Sequence, residues 1–413
     1  MIRSLKNKVK AAALGYAISF LLLVGLITSG ILFYAATNKR IEQLYQTKEH
    51  ILLNNLFSLR YASTITNEGS FIIAHSTGDS SKVTVRKWGA FQAVSVVTWH
   101  GFHRVEKSAI NAPGSLAPDY ALYVPEMREE IKLCGETRLE DKLFLPEYGL
   151  KRGYLSGKDY KGDKLFYGVK EKSERELPKL NKDFSNLNLE SFYNNAITKD
   201  FLLSDSSYSF HSPTTLYSSR EGQVINHAIS GNVIIHSFDS LFVSNEATLE
   251  HVILISPKIR FESGFQGTVQ AIAHQAIICE ENVRLNYPSI LVLNEIQESS
   301  GSSNHSIQLR ENTQVLGGVL LTSQAFNFRY PVRLLTENAR IAGLVYNMGE
   351  TQLIGEMVGS LITQSLFLKY GGGQYRNYLL DATIGRAKLP EEFIVPGWLE
   401  DDIPKKSSVL ACF

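Results

Sequence analysis

Between Leu241 and Leu291 the apolar residues recur in steps of six. One series runs Leu241, Ala247, Ile253, Ile259, Phe265, Ala271, Ile277 and Val283. A second, offset by two, runs Val243, Leu249, Ile255, Phe261, Gly267, Ala273, Cys279, Leu285 and Leu291. Sixteen of these seventeen positions are apolar and the other is glycine. A neighbouring series, Ser244, Glu250, Ser256, Glu262, Thr268, His274, Glu280 and Asn286, is polar throughout. A helix repeats every 3.6 residues and an uninterrupted strand every two, so neither gives a period of six. Two inward side chains, a break, and the same again describe short strands joined at corners. Three such strands make one triangular coil of about 18 residues, stacked on the next at roughly 4.8 Å. The pattern predicts a mainly β fold, a triangular β-solenoid whose hand the sequence leaves open.

The core signature is apolar, three residues, apolar, one residue, apolar. It recurs as Ile229-Val233-Ile235, Leu249-Ile253-Ile255, Val315-Val319-Leu321 and Leu139-Leu143-Leu145, and in part as Ile341-Val345 and Val358-Ile362. Thr137, Ala247, Thr313 and Ala339 stand two residues ahead of it. Unequal spacing of the repeats leaves insertions at Glu298–Ser306 and Ala325–Pro331, where corners tolerate them. The reading is therefore a solenoid over 126–370, with its first coils at 131–168. An insertion at about 169–222 contains the charged run Lys170–Asp183, a solvated surface. Gly371-Gly372-Gly373 ends the repeats, and the Pro-broken tail 371–413 is expected to cap the terminal strand edge.

Ahead of the repeats the pattern changes. Residues 11–36 carry no charge, enough for one bilayer-spanning helix. Such a length exceeds the apolar core of a cleaved signal peptide, so the expectation is an uncleaved anchor. Residues 1–10 form a basic tail with Arg3, Lys6, Lys8 and Lys10. By the positive-inside rule the tail stays in the cytoplasm and the remaining chain lies outside, at the bacterial inner membrane. Residues 37–63 continue at helical spacing through Ile41, Leu44, Ile51, Leu52 and Leu59, a helical stalk. Residues 64–125 hold short β-branched runs at Phe71–Ala74, Lys82–Lys87, Phe91–Thr98 and Phe102–Lys107. They predict a small antiparallel sheet.

A long N-terminal helix that is half apolar anchor and half stalk resembles type IV pilins and the pseudopilins of type II secretion. Gly15-Tyr16-Ala17-Ile18-Ser19-Phe20 stands where a prepilin peptidase site would stand, with Phe20 in place of the expected glutamate. The coils of about 18 residues resemble those of bactofilins, and that resemblance implies only architecture.

Charge and chemistry narrow the function. The net charge is +1, and no basic field points to nucleic acid. Cys134, Cys279 and Cys412 lack metal or redox spacing, and Cys279 falls in the inward series as a small core residue. His100 and His103 have no acidic or thiol partner nearby in sequence. His227, His236, His251 and His274 lie in the repeats. No nucleophile elbow, phosphate loop or zinc-protease motif is present. Glu246, Glu250, Glu262, Glu280 and Glu281 are dispersed along the outer positions, with Glu262 and Glu280 one coil apart. Glycoside chemistry needs two carboxylates at about 5–10 Å, so this pair is the strongest acidic candidate; its ordinary reading is surface decoration. Catalytic, cofactor and metal residues are therefore expected to be none. The expectation is a non-enzymatic, membrane-anchored structural or interaction protein of the bacterial envelope, in a pilus-like or secretion assembly. Its partners would be the membrane, envelope proteins and polysaccharide. The alternative is a carbohydrate-active lyase or hydrolase on a β-helix.

Overall fold

A computed structural model describes residues 2–65, 67–112, 117–181, 184, 196–201, 203–295, 305–323, 331–390, 393–400 and 408–413. The protein is mainly β with one long N-terminal helix. The expected insertions at 298–306 and 325–331 lie almost wholly outside the described residues. Contacts group the chain into two compact units, 1–58 with 72–82 and 96–106, and 59–71 with 83–95 and 107–413.

In the first unit the helix Ile2–Ala62 supplies residues up to Ser58. No proline interrupts it, and a Cβ at Gly15, Gly25 or Gly30 would meet nothing. Its stalk buries one face, with Ile51, Asn55 and Ser58 fully covered. That spacing of four and three residues is the inner stripe of an amphipathic helix. The strands Gly69–Ala74, Ser80–Trp88, Phe91–His100 and His103–Ala112 follow in antiparallel order, each divided between the two units, and Ser408–Cys412 of the second unit pairs with the last of them.

In the second unit most strands from 122 to 385 form one closed network, dominated by parallel pairs, with a two-stranded and a three-stranded sheet beside it. Three parallel ladders can be followed through it. In the first, Ile229 pairs Leu249, which pairs Gly267, Leu285, Val315, Ile341, Met357, Ile384 and Leu139 in turn. In the second, Tyr217, Ile235, Leu254, Ala271, Leu291, Val319, Val345, Leu361, Leu122 and Leu143 are stacked. In the third, Leu241, Ile259, Ile277, Ile307 and Leu334 are stacked. All but Gly267 belong to one apolar core shared by the three ladders.

Ladder order departs from chain order. The sequence reading put the first coils at 131–168. The structure stacks Arg138–Leu145 beyond Ala382–Gly385, with Tyr167–Lys172 beyond that. The opposite end is formed by Ile197–Asp200, Ser206–Tyr208 and Thr215–Ser219, which lie inside the stretch expected to be an insertion. The tail 371–413 is likewise not all cap, because Ala382–Gly385 is a rung of the first ladder and Tyr378–Leu380 pairs with Ile131–Cys134 in a separate three-stranded sheet. Parallel pairing needs only a matching strand, and the connection before it can be long.

Two residues of the expected inward series face the other way. Val252 and Leu254 join the inner core, whereas Ile253 and Ile255 join a second apolar layer. The pairing register slips between Glu250 and Val252, where His251 takes φ 57°. One extra residue at a bulge flips every following side chain. Met357 and Leu361, rather than the expected Val358 and Ile362, join the inner core, and no register shift accompanies the change.

The second layer covers the outer face of the second ladder. Ile234, Ile253, Ile272, Ile290, Leu320 and Leu344 pack with Trp88, Phe91 and Ile110 of the antiparallel sheet and with Val395 and Trp398 of the tail. Strands buried on both faces read as unbroken apolar runs, and Val252-Ile253-Leu254-Ile255 and Ile290-Leu291-Val292-Leu293 are such runs.

Candidate functional site

Three surfaces carry features that could serve a function. The first is the N-terminal helix. Among its described side chains, Leu14, Phe20, Leu21, Leu26, Leu32 and Phe33 are all largely exposed. None of the 18-residue window that is apolar enough to cross a membrane is buried. Water would exact about 25 cal/mol for each Å² of apolar surface left bare, so a continuous sleeve of this kind calls for an apolar surrounding.

The second is a polar network in the first unit. Asn55 Nδ2 donates to the carbonyls of Val96 and Val105, both at 3.2 Å, and to Thr98 Oγ1 at 3.1 Å. The His75 ring contacts Ser58 Oγ at 3.2 Å and Ser81 Oγ at 2.7 Å. Beside it, Asp79 accepts from Asn54 Nδ2 at 2.6 Å and Thr77 Oγ1 at 2.9 Å, and meets His100 Nδ1 at 2.8 Å. Burial pushes the Asp79 carboxyl up, but the hydrogen bonds from Thr77, Asn54 and His100, with the charge of His100, outweigh it and hold it below the ordinary aspartate value. No acidic residue stands near His100 in sequence as a partner; the turn His75–Asp79 brings one across from the neighbouring strand. His103 is not part of this network.

The third is a cleft of about 680 Å³ in the second unit, on the outer side of the first ladder. Its wall is the outward row Arg340, Glu356, Thr383 and Arg138, paired rung to rung. Its floor is small: Ala339, Gly355 and Gly385 leave the hollow open. Arg340 Nε lies 3.2 Å and Lys388 Nζ 2.5 Å from Glu356, and Arg138 Nε lies 2.5 Å from Glu140. At the rim Asp381 pairs with Lys158 at 2.8 Å and accepts the Glu136 N–H. Nothing in the sequence singled these residues out, because they come from segments more than 200 residues apart.

The acidic residues expected as the strongest enzyme candidates serve the ladder. Glu262 accepts from the Asn245 N–H and the Ser244 hydroxyl, both at 2.9 Å, and these bonds hold its carboxyl below the usual range. Glu280 pairs with Arg260 at 2.8 Å. Glu246, Glu250 and Glu281 are exposed. His227 lies 3.6 Å from Asp205. His236 and His251 are held below the ordinary histidine value, by burial first and, for His236, by the charge of His274. His251 packs edge-on against Phe413. Cys134 and Cys279 are buried and Cys412 is exposed, and burial pushes both buried thiols up. Gly371, with φ 55°, and Gly372, with φ 80°, make the turn between Gly355–Tyr370 and the antiparallel strand Gly373–Arg376. Among the described residues no three His, Cys, Asp or Glu side chains converge as metal ligands do.

No protein-family model matches the chain, and no curated protein matches it. Among solved structures it is similar to the competence-associated pilin ComZ from Thermus thermophilus, at 8% identity over 84% of this chain and 86% of that one, with a TM-score of 0.26.

Proposed function

We propose that this is a membrane-anchored scaffold of the bacterial envelope. One helix holds it in the inner membrane with the basic tail in the cytoplasm, and a β-rich body is displayed outside, in a pilus-like or secretion assembly. In this reading the three ladders are the faces of a triangular β-solenoid and the protein catalyses no reaction. The observation that carries it is the bare apolar sleeve of the helix, continuous with a stalk whose inner face is buried. The registers of the ladders support the solenoid, since partners such as Leu241, Ile259 and Ile277 stand 18 residues apart. Envelope proteins would be its partners, through the outer surfaces of the ladders.

Membranes of expressing cells washed with alkaline carbonate test the anchor, and a polysaccharide panel tests the absence of enzyme chemistry. The full chain should remain in the pellet and leave every polysaccharide intact. Release into the supernatant contradicts the anchor. Hydrolysis or elimination that disappears in Glu262→Gln/Glu280→Gln would make the protein an enzyme.

A further inference from the structure

The cleft beside Arg340 has a layered charge arrangement. Its carboxylates are set into the wall, with Glu140 and Glu356 each 25% exposed and Asp381, paired with Lys158, 35% exposed. Their cationic partners reach outward: Arg340 is 46% exposed, Arg138 58% and Lys388 69%. A ligand entering the cleft therefore meets guanidinium and ammonium groups first and carboxylate oxygens beneath them. Glu356 is shared by two cations, so Arg340 and Lys388 together carry one positive charge more than their partner cancels. The cleft has the size of a small-ligand site, yet its lining contains no aromatic side chain and its floor is Ala339, Gly355 and Gly385.

We propose that this cleft binds an acidic saccharide, a chain of sugars that bear carboxylates. Each part of the site has a matching group on such a ligand. The outer cations take the sugar carboxylate, in which the planar guanidinium of Arg340 or Arg138 can engage both oxygens. The inner carboxylates accept from sugar hydroxyls, which a purely anionic ligand lacks. The small floor lets a ring approach the backbone. Rungs about 4.8 Å apart present these groups at a spacing close to one sugar unit. An acidic peptide would satisfy the outer cations but leave Glu140 and Glu356 facing its carboxylates, and an apolar peptide would find no pocket for its side chains.

This inference uses the envelope reading only for where such a ligand is met; the binding itself is independent of topology. The test is calorimetric titration of the detergent-solubilised full chain with an oligouronate, a neutral oligosaccharide of equal length and oligoglutamate. The oligouronate should bind, more weakly as salt is raised, and the other two should not. Arg340→Gln/Lys388→Gln should weaken binding by about tenfold or more, while Arg260→Gln, outside the cleft, should leave it unchanged at an unaltered melting temperature. Arg340→Lys should retain part of the affinity, which separates lost charge from misfolding. No binding of the oligouronate by the wild-type protein overturns the proposal, as does equal binding of the neutral sugar or of oligoglutamate, or affinity undiminished in the folded double variant.

Discussion

At the scale of single residues, side-chain size decides whether one strand can stack on the next. Ser289, Gly317, Gly343 and Gly359 are successive partners within four stacked strands. The three glycines have φ of 144°, 134° and 132°, and a Cβ on each would lie 2.0, 1.9 and 2.1 Å from the carbonyl oxygen of the residue below. No side chain fits there, whatever the backbone could tolerate. Gly264 also has a positive φ, 83°, but a Cβ there meets nothing. Both positions carry the conformational cost of a left-handed L-residue, about 1–2 kcal/mol, and only Gly343 adds the collision. Gly343→Ala should therefore lower the free energy of unfolding in denaturant by clearly more than Gly264→Ala; equal losses would mean that the strands do not stack this closely. A corner shows how a local signal can be overlooked. Asn282, Asn312 and Asn338 take left-handed φ of 59°, 58° and 51°, each after a glutamate, in Glu281-Asn282, Glu311-Asn312 and Glu337-Asn338. Asn tolerates that conformation, so the repeated pair marks a corner as surely as the apolar hexads mark a face. Thr313 and Ala339, noted ahead of the signature, follow two of these turns and, like Ala247, are buried.

At the scale of elements, the helical stalk is held by hydrogen bonds as well as by apolar contact. Asn55 closes on two strand carbonyls, and Asn54 reaches the Asp79 carboxylate in the turn after the first strand. The side chain of Asp79 is 2% exposed, so its charge depends on these donors. Its carboxyl is held below the ordinary aspartate value in the fold, so the folded state binds the proton less readily than the unfolded chain. The stabilisation is complete above the ordinary value and is lost as pH falls through the folded one. Unfolding measured from neutral pH down to about pH 3 should show the wild type losing more stability than Asp79→Asn, which starts weaker and has no charge to neutralise. Parallel pH profiles would contradict the network. None of this is legible in the sequence, because Asp79 is 21 residues from His100 and only the fold brings the two together. The apolar ladder is legible where paired residues stand an even number apart. It fails at His251, since a single left-handed residue changes strand parity without altering composition, and it misses Ile234, Leu320 and Leu344, since a period of six scores only one face of a strand.

At the scale of the whole molecule, the second unit joins its ends through rungs that sequence order separates. Leu139 lies against Ile384, and Leu122 against Leu361. A linear reading could place each repeat on a face but not the order of the stack, because pairing between distant segments leaves no periodic trace. The anchor was the most legible part of the chain: a long run of uncharged apolar residues has few structural uses, and the structure leaves that run bare. The cleft was the least legible, being assembled from Arg138, Arg340 and Lys388 by the same long-range stacking.

The central claim is that the helix anchors the body outside the inner membrane. Cys412 offers the most direct measurement, because it is exposed while Cys134 and Cys279 are buried. Cells with a permeabilised outer envelope and an intact inner membrane are treated with a thiol reagent that cannot cross that membrane. The account predicts that Cys412 is labelled before lysis, and that Ser4→Cys, placed in the basic tail of a Cys412→Ser chain, is labelled only after lysis. Labelling of Ser4→Cys in intact cells, with Cys412 protected until lysis, would contradict it.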